Sequence, residues 1–214
     1  FFDVGRTLSQ IAADGYKKVI AVHLSSGLSG TYNMIRLQGE SREDLEVKVF
    51  DSVSGALGIG ITILQLWEDI QGGMGWRELV DRRVPGLITG TFPFFSVDTL
   101  EYLAKGGRIG KVTAMAGTML NIKPLITFAG DGQLQSVAKV RGRRAVQDKL
   151  IELVGKALGE HKRFNLAVAN GGAAEEMAQL RARMETAFPG FDHFWEGELD
   201  AKLSLYIGSG VLGA

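Results

Sequence analysis

Between His23 and Asn33 the chain reads HLSSGLSGTYN, in which Ser25, Ser26, Ser29 and Thr31 carry hydroxyls. The segment follows the apolar run Val19-Ile20-Ala21-Val22. Hydroxyls and free backbone N–H groups at a strand-to-helix turn make a small anion site, and the helix N-terminus adds partial positive charge. Such a turn would hold a carboxylate or a phosphate without a cationic side chain. The same residues would also serve as N-caps, for which Ser and Thr are favoured. A cap needs one hydroxyl, and this segment offers more than that. A second hydroxyl turn, Asp51-Ser52-Val53-Ser54-Gly55, follows the run from Glu46 to Phe50.

Other chemistries fit less well. A serine nucleophile elbow needs G-x-S-x-G, but Gly27-Leu28-Ser29-Gly30-Thr31 is one place out of register. His23, His161 and His193 fall in no triad pattern, and there is no G-x-x-x-x-G-K-[ST] phosphate loop. Gly106-Gly107-Arg108-Ile109-Gly110 follows a helix and not a strand, which is the wrong setting for a dinucleotide fingerprint. With no cysteine, disulfides, thiolate nucleophiles and Cys-held metals are excluded. The 24 basic and 24 acidic side chains balance, so bulk charge argues for neither nucleic acid nor a membrane surface. The basic residues are nevertheless uneven: nine stand against three acidic ones between Glu101 and Lys149. Arg108 and Arg141 sit there in glycine-containing turns, where a guanidinium reaches a phosphate or a partner's carboxylate. Any single one of these charges also reads as part of a solvated face. No aromatic residues are interleaved as single-stranded nucleic acid would require.

The elements that would position these groups alternate. Residues 1–15 read as a helix, Lys18 to Leu24 as a buried strand, and Thr31 to Leu37 as a helix. Glu46 to Phe50 reads as a strand, Ala56 to Gln71 as a long apolar helix, and Trp76 to Arg83 as a helix ending before Pro85. That order predicts a parallel sheet covered by helices, with ligands beyond the carboxyl ends of its strands. Both hydroxyl turns fall at such ends. The apolar helix reads as core, and would equally suit the wall of an apolar tunnel. Beyond a boundary placed near Pro85-Gly86 the pattern changes. Leu87 to Val97 reads as a strand and Asp98 to Ala104 as a short helix. Ala114 to Asn121 is another short helix, and a hairpin turns at Gly130-Asp131-Gly132. Arg143 to Leu158 and Ala173 to Phe188 read as helices, with Phe164 to Asn170, Phe191 to Glu196 and Ala201 to Ile207 as strands. The fold expected is therefore α/β in two domains, 1–86 and 87–214. No apolar run approaches the roughly 18 residues of a membrane span, and a cytoplasmic location is expected.

Six phrases in order, SSGLSGTYN, VFDSVSGALGIG, VDTLEYLAKGGRIGK, LNIKPLITFAGDGQL, KVRGRRAVQDKL and GSGVLG, together resemble the DegV family of bacterial fatty-acid-binding proteins. The resemblance spans nearly the whole chain. It implies an N-terminal α/β/α domain with a parallel sheet and a C-terminal α/β domain with a mixed sheet. It also implies one long-chain fatty acid in an apolar tunnel, its carboxylate at the interdomain cleft. Such a protein is no enzyme on its own and needs no cofactor. It presents the acid to a separate ATP-dependent kinase subunit that makes an acyl phosphate for phospholipid synthesis, with at most transient membrane contact. Ser25, Ser26 and Ser29 match the carboxylate-binding segment, and Arg108 and Arg141 match arginines tied to kinase docking and phosphoryl transfer. Asn121 and Lys123 match the motif without a clear role. Family members also carry an N-terminal strand and a Thr-Ser-Gln-Pro-Ser segment ahead of the point where this chain starts, so the first strand is expected to be missing. Tyr206 stands where the family has a histidine, and Ser209 where it has a proline. A phenol can donate to a carboxylate but carries no imidazolium charge. Two alternatives remain beside the carrier reading: an acyl-chain-sensing regulatory protein, and the substrate-binding component of a dihydroxyacetone-kinase-like enzyme.

Overall fold

The computed structural model describes residues 2–115 and 121–214. The chain forms two compact units, Phe1–Thr91 and Phe92–Ala214. Pro85 and Gly86 lie inside a helix, and the units divide after Thr91.

In the first unit α1 (Phe2–Ala13) leads to β1 (Lys18–His23), α2 (Thr31–Glu40), β2 (Glu46–Asp51) and α3 (Leu57–Gln71). β1 and β2 pair in parallel, in register from Lys18↔Glu46 to His23↔Asp51. Strand alternation sets two faces. Ile20, Val22 and Phe50 pack with Leu66, Leu79 and Val84 from the helices of one side. The opposite face meets α2, where Gly39 lies so close that a Cβ would stand 2.9 Å from Val47. This is the expected parallel pair with helices on both faces.

The helix expected to stop before Pro85 does not stop. α4 (Trp76–Glu78) runs through a π-helical segment, Leu79–Arg83, into α5 (Val84–Thr89), with Pro85 in the first turn of α5. Proline lacks the N–H that a continuing α-ladder would use, and the wider π turn before it absorbs that irregularity. The strand expected over Leu87 to Val97 is thereby corrected: only Phe95–Ser96, β3, is extended.

In the second unit β3 is followed by α6 (Glu101–Lys105) and a 3-10 turn, Gly110–Met115. The short helix expected from Ala114 to Asn121 lies largely outside the described residues. β4 (Ile122–Phe128) and β5 (Leu134–Arg141) form the expected hairpin, closed by Ala129 N–H to Gln133 O at 2.8 Å. Then come α7 (Arg143–Leu158), β6 (Leu166–Gly171), α8 (Ala174–Ala187), β7 (Phe194–Glu198), α9 (Ala201–Ile207) and β8 (Val211–Gly213). The segment Ala201 to Ile207, expected as a strand, is a helix capped by Asp200, whose carboxylate accepts the Leu203 N–H at 2.8 Å. The sheet order is β5-β4-β3-β8-β6-β7, parallel only between β6 and β7 and hence mixed. α7 and α8 bury Val146, Leu150, Leu180 and Met184 against Leu125, Val168 and Leu212 of the sheet.

Candidate functional site

The two hydroxyl turns become neighbours because their strands are. His23 and Asp51 end β1 and β2 in register, so the chain leaves both strands at one edge. Backbone bonds continue the pairing beyond the strands: Ser52 N–H to His23 O at 3.1 Å and Ser25 N–H to Ser54 O at 2.9 Å. Asp51 knits the turns together. Its carboxylate accepts the Ser26 N–H at 3.2 Å and the Val53 N–H at 2.9 Å. Ser52 holds its own turn, its Oγ donating to Ser54 O and accepting the Ser54 N–H, both at 3.1 Å.

The candidate serines have different surroundings. Ser25 is fully buried and its Oγ accepts the Gly27 N–H at 3.3 Å, whereas Ser26 is exposed. Ser29 bonds the Thr31 hydroxyl at 2.8 Å and accepts the Thr31 N–H at 3.3 Å, bracing the start of α2. Ser52 and Ser54 are nearly as buried as Ser25, at 3% exposure each, and the Ser54 hydroxyl has no hydrogen-bond partner among the described residues. Sequence reasoning noted their turn but not these residues. The signal available was a second Ser-x-Ser at the carboxyl end of the next parallel strand.

The second turn is held in a demanding conformation. Val53 has φ 49° and Ala56 φ 48°, ψ −125°, the latter a corner that glycine favours. Ala56→Gly is expected to stabilise the protein by about 1 kcal/mol, the relief of left-handed strain exceeding the added freedom of the unfolded chain. Urea denaturation checks this, and a lower midpoint would refute it.

His23 faces the α2 side with Asp51, and its Nε2 is buried without a partner among the described residues. Burial lowers its pKa below the usual 6.5. The unfolded imidazole therefore binds a proton that the folded one refuses. Stability is complete above pH 6.5 and is lost as pH falls below it toward the depressed folded value. The slope cannot exceed about 1.4 kcal/mol per pH unit for one proton. His23→Gln is expected to flatten this slope in urea titrations between about pH 5 and 7; an unchanged slope would assign the acid sensitivity elsewhere.

In the second unit Arg108 is exposed. Its Nη1 donates to Gly106 O at 2.6 Å, and its guanidinium lies 4.9 Å from the centre of the Tyr206 ring, within cation–π range. Tyr206 packs on the end of α6, where a Cβ on Gly106 would stand 2.6 Å from its ring. Reciprocally, a Cβ on Gly208 at the end of α9 would stand 2.6 Å from the ring of Tyr102. Arg141 ends β5 opposite Ile122, exposed, its side chain without a hydrogen bond or ion pair among the described residues. Asn121, at φ 71°, accepts the Gly142 N–H at 3.1 Å and shapes the turn into α7.

Two members of the basic segment serve the fold. Arg143 opens α7 and forks to the Glu176 carboxylate, while its Nη1 reaches Asp98 Oδ1 at 3.1 Å and Gly210 O. Lys123 donates to the same Asp98 oxygen at 2.7 Å. Gly210, at φ 78°, leaves room for that carboxylate, since a Cβ there would stand 2.1 Å from Asp98 Oδ2. Among the described residues no group of three or more His, Cys, Asp or Glu side chains could hold a metal, and no helix is long and apolar enough to cross a membrane.

Strand-end hydroxyl turns on a parallel pair, in a chain that also carries a mixed-sheet unit, define an α/β protein of two units. Residues 3–214 match the family described as "Uncharacterised protein, DegV family", and the chain belongs to it. It is 34% identical over 211 residues to a DegV domain-containing protein of Clostridium acetobutylicum, covering 99% of this chain and 74% of that one. A solved structure titled as fatty acid binding of a DegV family protein from Thermus thermophilus superposes with a TM-score of 0.91 at 28% identity, covering 99% of this chain and 74% of that one. A DegV family protein from Eubacterium eligens, described as loaded with heptadecanoic acid, gives a TM-score of 0.81 at 25% identity over 95% of this chain and 74% of that one.

Proposed function

We propose that this protein binds a long-chain fatty acid and carries it, without catalysis of its own, to an ATP-dependent kinase subunit that forms the acyl phosphate. The carboxylate is held by the hydroxyl turn of Ser25, Ser26 and Ser29. The observation that carries this reading is the pair of knitted hydroxyl turns at the carboxyl ends of β1 and β2, in a chain whose relatives are described as fatty-acid binding. A carboxylate taken out of water needs hydrogen-bond donors, and serine hydroxyls and turn N–H groups supply them. The acyl chain contributes roughly 0.8 kcal/mol per buried CH₂, which leaves a surplus after ordering costs. Arg108 and Arg141 are exposed cations at turns, suited to a partner's carboxylates or to the transferred phosphoryl group. Tyr206 braces Arg108 and has a phenol to donate to the ligand.

Mass spectrometry of lipid extracted from the purified full-length protein tests this. One equivalent of fatty acid is expected in the wild type, and less than a tenth of it in a folded Ser25→Ala, Ser26→Ala variant. Wild-type protein that carries no lipid and takes up no added oleate would sink the carrier reading. Charge reversal at Arg108 and Arg141 is expected to abolish acyl-phosphate formation while lipid stays bound. Unimpaired formation would favour a docking surface elsewhere.

A further inference from the structure

The carboxylate reading leaves Ser54 unused. Its side chain is 3% exposed, and its Oγ has no partner among the described residues. Buried hydroxyls are rarely left this way, because the lost hydration is not returned. The hydroxyl lies against the first turn of α3: a Cβ on Gly58 would stand 2.0 Å from it. α3 runs for 15 residues and has no side-chain N-cap. Among the described residues nothing accepts a hydrogen bond from the N–H of Gly55, Ala56 or Leu57. A buried unpaired hydroxyl, three successive unengaged N–H groups and the positive end of a long helix thus fall within four consecutive residues.

We propose that the N-terminus of α3 is a second oxyanion subsite, built from the Ser54 hydroxyl and the backbone N–H groups of Gly55, Ala56 and Leu57. Its occupant is a carboxylate or phosphate group, recognised by neutral donors and the helix dipole and not by a cationic side chain. The subsite shares no residue with the Ser25, Ser26 and Ser29 turn, so its failure and that of the carrier reading are distinguishable. The bond from Ser25 N–H to Ser54 O, at 2.9 Å, nevertheless ties the two turns together.

The test uses full-length wild type and Ser54→Ala, each titrated with oleate and, separately, with inorganic phosphate while thermal unfolding is followed. The ligand-free variant is expected to melt at or above the wild-type temperature, because its lost hydroxyl made no bond. For one of the two anions its affinity is expected to fall at least tenfold. A fall for oleate alone assigns the subsite to the lipid carboxylate. A wild-type response to phosphate that disappears in the variant assigns it to a phosphate group, even if the protein binds no oleate and the carrier reading falls. Equal affinities of both proteins for both anions, or no response to either, overturn the subsite. So does a ligand-free variant that melts well below wild type, since the hydroxyl would then serve the fold.

Discussion

Arg143→Met is expected to lower the stability of the protein by about 2–3 kcal/mol, a larger loss than any other single charge here should give. Three acceptors depend on this guanidinium: the carboxylates of Glu176 and Asp98 and the carbonyl of Gly210. It fastens the first turn of α7 to α8, to the loop before α6 and to the turn entering β8. The side chain is 27% exposed, with Glu176 at 35% and Asp98 at 43%, so solvent screening keeps the expected loss below that of a fully buried pair. Asp98 retains Lys123, which softens the loss on that side. Arg143→Lys should recover less than half, since an ammonium cannot fork to a carboxylate and reach two further acceptors. Arg144, one residue on and exposed, is the control: Arg144→Met should change stability by less than about 0.5 kcal/mol. Urea denaturation of the three variants decides the matter, and equal midpoints for Arg143→Met and Arg144→Met would remove the clamp.

The second large effect is expected at Gly58. A methyl group there would stand 2.0 Å from Ser54 Oγ and 3.2 Å from Ser54 Cβ. Rotation about χ1 can carry Oγ away only into buried surroundings, and Ser54 Cβ stays 3.2 Å from the new methyl, so the turn must give as well. The penalty for such overpacking is about 2–3 kcal/mol, against which alanine returns at most roughly 1 kcal/mol of helix propensity. Gly58→Ala is therefore expected to destabilise the protein by about 1–2 kcal/mol and to displace the hydroxyl turn. In a Ser54→Ala background the closest contact is gone, and most of the penalty should vanish. A double-mutant cycle reads that coupling directly; additive losses would mean that the two residues do not press on each other.

The sequence carried the site-forming unit well. The continuous apolar run Val19 to Val22 marked β1, Glu46 to Phe50 read as β2, and hydroxyl clusters marked the turns at their ends. The hairpin at Gly130-Asp131-Gly132 and the long helices after Arg143 were legible as α/β elements, whereas the mixed sheet was expected only from the family resemblance. Legibility ended where composition was ambiguous. Val84 to Thr89 is apolar and β-branched, and it follows a charged helix and contains a proline. Local propensity favours a break there, while packing of Val84, Leu87 and Ile88 against Val22 and Leu66 favours helix, and packing prevails. Ala201 to Ile207 alternates like a strand, yet the Asp200 cap and the seat of Tyr206 on Gly106 make it a helix. Within the site, Ser25 and Ser26 were legible as a motif. The roles of Asp51 and Ser54 were not, because they arise from register between two strands and from the space left by Gly58. The basic run between Glu101 and Lys149 likewise concealed a division of labour: Lys123 and Arg143 are engaged by Asp98, while Arg141 is left at the surface.

The seat of Tyr206 on Gly106 also constrains how this sequence can drift. Gly106 has an ordinary right-handed backbone, φ −77°, so its own dihedrals admit any residue. What forbids a side chain there is chiefly the neighbouring ring, 2.6 Å from the site of the missing Cβ, with Tyr102 O next at 3.2 Å. Gly208 differs, since its φ of 78° demands glycine whatever Tyr102 becomes. The order of neutral substitution is therefore set at one pair and free at the other: position 106 can acquire a side chain only in a lineage that has already given up the tyrosine at 206.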